Sequence, residues 1–336
     1  MNGKLSKFKI VFLIFLVAGT FYILKNHKPE TYITNQGFIF GTQYQIKYKA
    51  TEDLHSDIRG ELSKVDNALS MFNKNSIISA FNNNIDTTAN KLFTEVFNLA
   101  QEVSAKTDGA FDITVAPLVN AWGFGFKEGT LPDSATIDSI RQSIGYNTVA
   151  LVDGKVVKLH KSTMLDCSAI AKGYGCDVVA RLFDSKGVTN YMIEIGGEVV
   201  TKGYNDKGTK WNISISKPTE NRSASSNAHQ AIISITDKGM ATSGNYRNFR
   251  IENGKKYAHT IDPRTGYPVQ HTLLSATVIA DNCAKADAFA TAFMVVGLEK
   301  AKEICRTNGI DAYFIYADEE GCLQTMATDG FSKYIK

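Results

Sequence analysis

Cysteine and proline are both scarce in this chain, at five and six among 336 residues. Cys167, Cys176, Cys283, Cys305 and Cys322 are scattered and form no C-x-x-C, which excludes a disulfide framework and a zinc site. An odd number leaves at least one unpaired, and buried reduced thiols account for all five. The low proline content, with 43% apolar and 21% charged residues, excludes disordered, collagenous and coiled-coil classes. Net charge is also small, at +3. Residues 1–28 hold five lysines and no acid, so the remaining 32 basic and 34 acidic residues leave the rest of the chain two units negative. A nucleic-acid partner is thereby excluded. No Walker loop, G-x-G-x-x-G, H-E-x-x-H or G-x-S-x-G occurs, and no period of 20–50 residues recurs.

One hydrophobic run is present. Lys4, Lys7 and Lys9 precede an apolar stretch from Ile10 to Leu24, and Lys25 and Lys28 follow it. A basic flank and a short apolar segment read as a secretory signal or an uncleaved signal anchor. As a helix the run covers about 22 Å, short of a hydrocarbon core of about 30 Å. Val17-Ala18-Gly19-Thr20 is a poor cleavage site, and no cysteine lies nearby to accept lipid. Residues 1–28 therefore read as a signal or N-terminal membrane anchor, and 29–336 as one catalytic unit. The expected location is outside the cytoplasm, on the outer face of the cytoplasmic membrane or in the periplasm.

Periodicity supplies the elements. Gly37–Tyr48 alternates as a strand with a turn at Gly41-Thr42, and Ser56–Ser70 places Ile58, Leu62, Val65 and Leu69 on one helical face. Helices are predicted at 92–107, 132–144, 169–183, 284–296 and 298–307. Strands are predicted around the Val152–Lys155 turn and at 191–195, 211–216, 232–236, 240–243, 274–280 and 312–317. Residues 218–229 read as a polar surface loop. Strands cluster between helices instead of alternating with them, which favours α+β.

Five segments carry candidate chemistry. In Thr107–Thr114, Asp108 and Asp112 flank a glycine, either as a turn with a cap or as a carboxylate offered to a ring or ribose; Trp122-Gly123-Phe124-Gly125 follows. In Asp166–Tyr174, Asp166 and Ser168 are N-cap types, so the helix start suits an anion, and Lys172 near that start suggests a phosphate ligand. Tyr257–Pro268 is a rigid turn that brings His259, Asp262 and Arg264 close together: a proton carrier beside a guanidinium fork. Asp287 and Thr291 share one face of an otherwise apolar helix, where a buried carboxylate needs a partner or a metal, and two oxygen ligands suit Mg²⁺. Ser70–Asn73 with Ser76–Asn82 reads as a loop able to wall a planar ligand.

Eight stretches in order, among them FGTQYQI, DGAFDITVAPLVNAWGFG, LDCSAIAKGYGCD, AHTIDPRTGYPV and DAFATAFMVVG, resemble the ApbE family of FAD:protein FMN transferases over nearly all of the chain after residue 35. The resemblance implies an α+β fold with mixed sheets and flanking helices, related to the T-fold. It implies cleavage of the FAD pyrophosphate, transfer of FMN to a Thr or Ser hydroxyl of an acceptor in a membrane redox complex, and release of AMP. It further implies Mg²⁺ held by Asp287, Thr291 and the Ala169 carbonyl. FAD contacts fall at Phe40, Ser70, Met71, Phe72, Asp108, Lys172 and Ile261, with His259 as the base. Ser168 and Glu198 depart from the family pattern, and neither is expected to touch a ligand. A metal-dependent FAD pyrophosphatase and an exported FAD-binding protein remain the alternatives.

Overall fold

The computed structural model describes residues 2–26, 30–125, 131–218, 229–245, 249–252 and 255–336. The 28/29 boundary and most of the polar 218–229 stretch lie outside them. Helix α1 (Asn2–Asn26) carries the N-terminal apolar run, and its large side chains from Phe8 to Val17 are exposed. Among the described residues no helix is long and apolar enough to cross a membrane.

Strands β1 (Thr31–Ile39) and β2 (Thr42–Ala50) form a hairpin closed by Phe40-Gly41, both at positive φ (51° and 74°). The turn thus falls one residue earlier than predicted, because a two-residue hairpin loop of this hand needs φ > 0 at both positions. Helix α2 (His55–Leu69) buries the apolar face its spacing predicts. Ser76–Asn82 is not a loop: after Ser76 accepts the Ser79 amide, residues Ile77–Asn82 form α3, burying Ile78 and Phe81. Helix α4 (Lys91–Lys106) starts at an Asn90 cap; α5 (Ala116–Ala121) was not predicted, and α6 (Ser134–Arg141) is shorter than expected. A small hairpin, β3 (Val149–Val152) and β4 (Lys155–Lys158), leads to α7 (Ser168–Ser185).

The second half holds β5 (Tyr191–Ile195), β6 (Glu198–Lys202), β7 (Trp211–Ser216), β8 (His229–Ile235) and β9 (Lys238–Gly244). Then come β10 (Phe249–Glu252), β11 (Lys255–Ala258), β12 (Leu273–Ala280), α8 (Cys283–Val296) and α9 (Leu298–Asn308). Strands β13 (Asp311–Ala317) and β14 (Leu323–Ala327) and helix α10 (Asp329–Ser332) complete the chain.

Eight strands make one sheet in the order β1-β2-β5-β6-β9-β12-β13-β14, and every pair in it is antiparallel. The α+β expectation is borne out, the mixing being of helices with strands and not of strand directions. Strands β8 and β9, expected as neighbours across one turn, belong to different sheets. β8 pairs with β7, and Ile233 and Ile235 pack with Met240 and Ile279 on the outer face of the large sheet.

The inner face carries α7 and α8. Helix α8 is apolar apart from Lys285, Asp287 and Thr291 and is buried along nearly its whole length, as befits a central helix. It lies so close to α7 that a Cβ on Gly173 would sit 2.5 Å from the Cys283 carbonyl oxygen. Four cysteines are buried free thiols, but Cys322 is exposed in the turn before β14, so burial does not account for all five.

Candidate functional site

A cavity of about 1220 Å³ opens where the β1–β2 turn, the end of α2, the start of α7, the end of β9, the 259–263 loop and α8 converge. Ten of the eleven residues carried over from the sequence line it: Phe40, Ser70, Met71, Phe72, Ala169, Lys172, His259, Ile261, Asp287 and Thr291. Asp108 does not. It is exposed at the end of α4 with φ 52°, and its charge faces Arg264. The cavity exceeds the usual span of small-ligand pockets, about 300–1,000 Å³, and so has room for a dinucleotide.

The floor is built by three elements. Lys172 of α7 points its ammonium at Glu198 Oε1 of β6 (3.2 Å) and at Asp287 Oδ2 of α8 (3.9 Å). Both carboxylates are buried, and Glu198 Oε2 has no hydrogen-bond partner. Burial alone would lower the Lys172 pKa, but Asp287 and Glu198 outweigh it and raise it. Burial pushes the Glu198 carboxyl up to about 8 and raises Asp287 too, in both cases against the pull of Lys172. Burial is the main cause of both rises, and on Glu198 the neighbouring Asp287 charge adds to it, one cation serving two buried acids. Glu198 therefore lines the cavity and touches Lys172, a place its sequence setting did not suggest. The sequence signal was an acid directly after Gly196-Gly197 and directly before two valines.

The residues of this floor suit a divalent cation. Asp287 sits in the second turn of α8, past the Asn282 cap, so end-capping does not explain it. Thr291, one turn on, hydrogen-bonds Ser243 at 3.1 Å and keeps a lone pair for a ligand. In a regular helix the Ala169 carbonyl accepts the Gly173 amide. That amide donates to Asp287 Oδ2 at 3.1 Å, so the Ala169 carbonyl at best shares its donor. An oxygen-only donor set with an orphaned buried carboxylate oxygen beside it fits a hard cation such as Mg²⁺.

The 259–268 loop is rigid for reasons visible in its sequence. Asp262 accepts from the Arg264 amide and, in two parallel bonds of 2.9 and 2.8 Å, from its guanidinium. Arg264 is thus committed to Asp262 and does not line the cavity, which corrects its reading as a phosphate fork. Trp122 donates to the Gly266 carbonyl at 2.8 Å and packs between Tyr257 and Tyr267, so the W-G-F-G motif is the loop's support. His259 meets Phe124 edge to face at 6.4 Å and lines the cavity.

Two further expectations change. Asp166 and Ser168 do not cap α7: the cap position is Cys167, and Asp166 takes the Ser168 amide, so an acid already occupies part of the expected anion seat. Asp112 is buried and accepts from the Thr114 amide and hydroxyl, both at 2.7 Å, which makes it the organiser of its loop. Phe40, the only positive-φ residue outside Gly, Asn and Asp among those described, lays its ring over Gly175 of α7. Strain of this kind concentrates at ligand sites.

The sequence model of the ApbE family matches residues 40–314. The FAD:protein FMN transferase of Escherichia coli K12 is 33% identical over 95% of this chain and 96% of that protein, and that of Haemophilus influenzae is 35% identical over 97% and 98%. Among solved structures, the flavin transferase ApbE from Vibrio cholerae aligns with a TM-score of 0.82 at 34% identity, covering 91% of this chain and 100% of that one. The apo form of the flavinyl transferase ApbE from Pseudomonas stutzeri gives 0.81 at 31%, over 91% and 97%. A fold, a cavity and relatives that agree over nearly the full length lead to one conclusion: the chain belongs to the ApbE family.

Proposed function

We propose that this protein is an FAD:protein FMN transferase that moves FMN from FAD onto a Thr or Ser hydroxyl of an acceptor protein and releases AMP. The observation that carries the reading is the buried Lys172–Asp287–Glu198 cluster beside Thr291 in a cavity that also holds His259. A cluster with spare negative charge seats a cation, and a cation beside a lysine suits a diphosphate.

Phe40, Met71 and Phe72 supply the apolar surfaces against which an isoalloxazine ring stacks. Lys172 faces the diphosphate and offsets its charge. His259 takes the proton from the acceptor hydroxyl as its oxygen attacks the FMN-side phosphorus. The bond to the AMP phosphate breaks on the far side, and AMP leaves with the bridging oxygen. A divalent cation held by Asp287, Thr291 and the Ala169 carbonyl would neutralise charge on the diphosphate oxygens. The Asp262–Arg264 pair and Trp122 fix the loop that aims His259.

The acceptor is read as an outward-facing subunit of a membrane redox complex. Residues 1–28 are read as the address that exports the enzyme to it or anchors it there. Incubation with FAD, Mg²⁺ and an acceptor carrying a candidate threonine tests the assignment. Intact mass of the acceptor should rise by one FMN residue, matched by AMP. AMP with no mass gain on any acceptor would indicate a pyrophosphatase, and bound FAD with neither product would overturn the enzyme reading.

A further inference from the structure

We infer that Glu198 is a positioning residue that holds Lys172 off Asp287 and so keeps Asp287 open to a divalent cation. The inference rests on the proposed metal role of Asp287. Lys172 Nζ is 3.2 Å from Glu198 Oε1 but 3.9 Å from Asp287 Oδ2, so its closer partner is the acid with no proposed role of its own. Glu198 is only 3% exposed, and its second oxygen has no hydrogen-bond partner.

Charge bookkeeping gives the reason. A bound cation selects the state in which both acids are ionised, net −1, and displaces the proton that burial favours on Glu198 in its absence. Without the Glu198 charge, Lys172 and Asp287 sum to zero in a buried setting. The ammonium, already 3.9 Å away, then closes into a direct pair with Asp287. An incoming cation must displace it, and at this depth the attraction lost is large. Removing Lys172 as well returns the cluster to −1 and removes the competitor, so the two substitutions offset each other in cation affinity. A merely structural Glu198 gives no such rescue.

The test is Mn²⁺ binding to the FAD-free full-length chain, followed by electron paramagnetic resonance, with a thermal melt of every variant. Asp287→Asn should abolish specific binding. Glu198→Gln, which keeps the side-chain volume, should weaken it about tenfold or more. Glu198→Gln/Lys172→Met should return to within about threefold of the wild type. A Glu198→Gln affinity equal to that of the wild type, or a double variant as weak as the single, overturns the inference while leaving the metal role of Asp287 standing. Wild-type binding that survives Asp287→Asn unchanged overturns that metal role, and the inference with it. If Glu198→Gln melts early, the rescue in the double variant decides.

Discussion

Replacing Gly173 with alanine tests the contact on which the whole floor depends. The added Cβ would lie 2.5 Å from the Cys283 carbonyl oxygen, 2.7 Å from its carbon and 2.9 Å from the Ala284 Cα. All three are backbone atoms, so no side chain can swing aside, and α7 and α8 must part by roughly 0.5–1 Å to restore ordinary contact. Overpacking of this kind costs about 1–3 kcal/mol, offset by about 1 kcal/mol from the better helix propensity of alanine. The net loss of about 0–2 kcal/mol lowers the melting temperature by about 3 °C at most. The functional loss is larger. The Gly173 amide to Asp287 bond, 3.1 Å long, stretches beyond hydrogen-bonding range. A shift of about 1 Å at a reacting site costs on the order of a hundredfold in rate. The control is Gly60 in α2, which is exposed with open space where its Cβ would be. Gly60→Ala should stabilise by about 1 kcal/mol and leave turnover unchanged. Calorimetry and AMP release measure both variants. Should Gly173→Ala melt at or above the wild-type temperature with normal turnover, the close approach of the two helices is not what organises the site.

Three further outcomes are expected. His259→Ala should reduce transfer by about 10²–10⁴-fold with little change in FAD affinity or melting temperature; a parallel loss of FAD binding would make it a binding residue instead. Trp122→Phe removes the donor to the Gly266 carbonyl, at a cost of about 1–3 kcal/mol, and should lower kcat as the His259 loop loosens. Normal kcat in a destabilised variant would uncouple that loop from catalysis. Asp177, half-buried and accepting the Cys283 and Ala284 amides at the start of α8, has its carboxyl pushed up to about 6 by desolvation. Between pH 4 and 6 the folded chain then holds a proton that the unfolded chain releases. Its contribution makes stability fall as pH rises through that window, by about 3 kcal/mol at most. Asp177→Asn should flatten that slope in urea titrations at pH 4.5 and 6.5, and an unchanged slope would place the titration elsewhere.

The sequence made the amphipathic elements legible because one face of each meets the core. The spacing of Ile58, Leu62, Val65 and Leu69 defined α2 to within a residue at either end. It missed α3 and α5, each only six residues long, where a single turn offers no period to count. It also missed β6, whose E-V-V-T pattern is buried on both faces and so does not alternate. The separation of β8 from β9 was hidden for a different reason. A short turn between two strands reads as a hairpin whether or not they pair, and only the layer they help to cover decides.

Within the site, the legible residues were those set in turns or on a helix face of contrasting chemistry, such as His259 in its Asp-Pro loop and Asp287 with Thr291. Glu198 escaped because its meaning lies in charge balance across three elements, with partners 26 and 89 residues away in the chain. A lone acid in a strand ordinarily faces water. Here Gly196 and Gly197, at φ 63° and 103°, turn the chain so that the first residue of β6 comes under the start of α7. Arg264 erred in the opposite direction. Its spacing from Asp262 suited a phosphate fork, yet that same spacing lets the guanidinium fold back on the carboxylate two residues away. An intrachain anion is always present and a ligand is not, so an arginine beside an aspartate in a tight turn is claimed by the turn first. Lys172 escapes that fate because its partners sit on other elements, in the cavity itself.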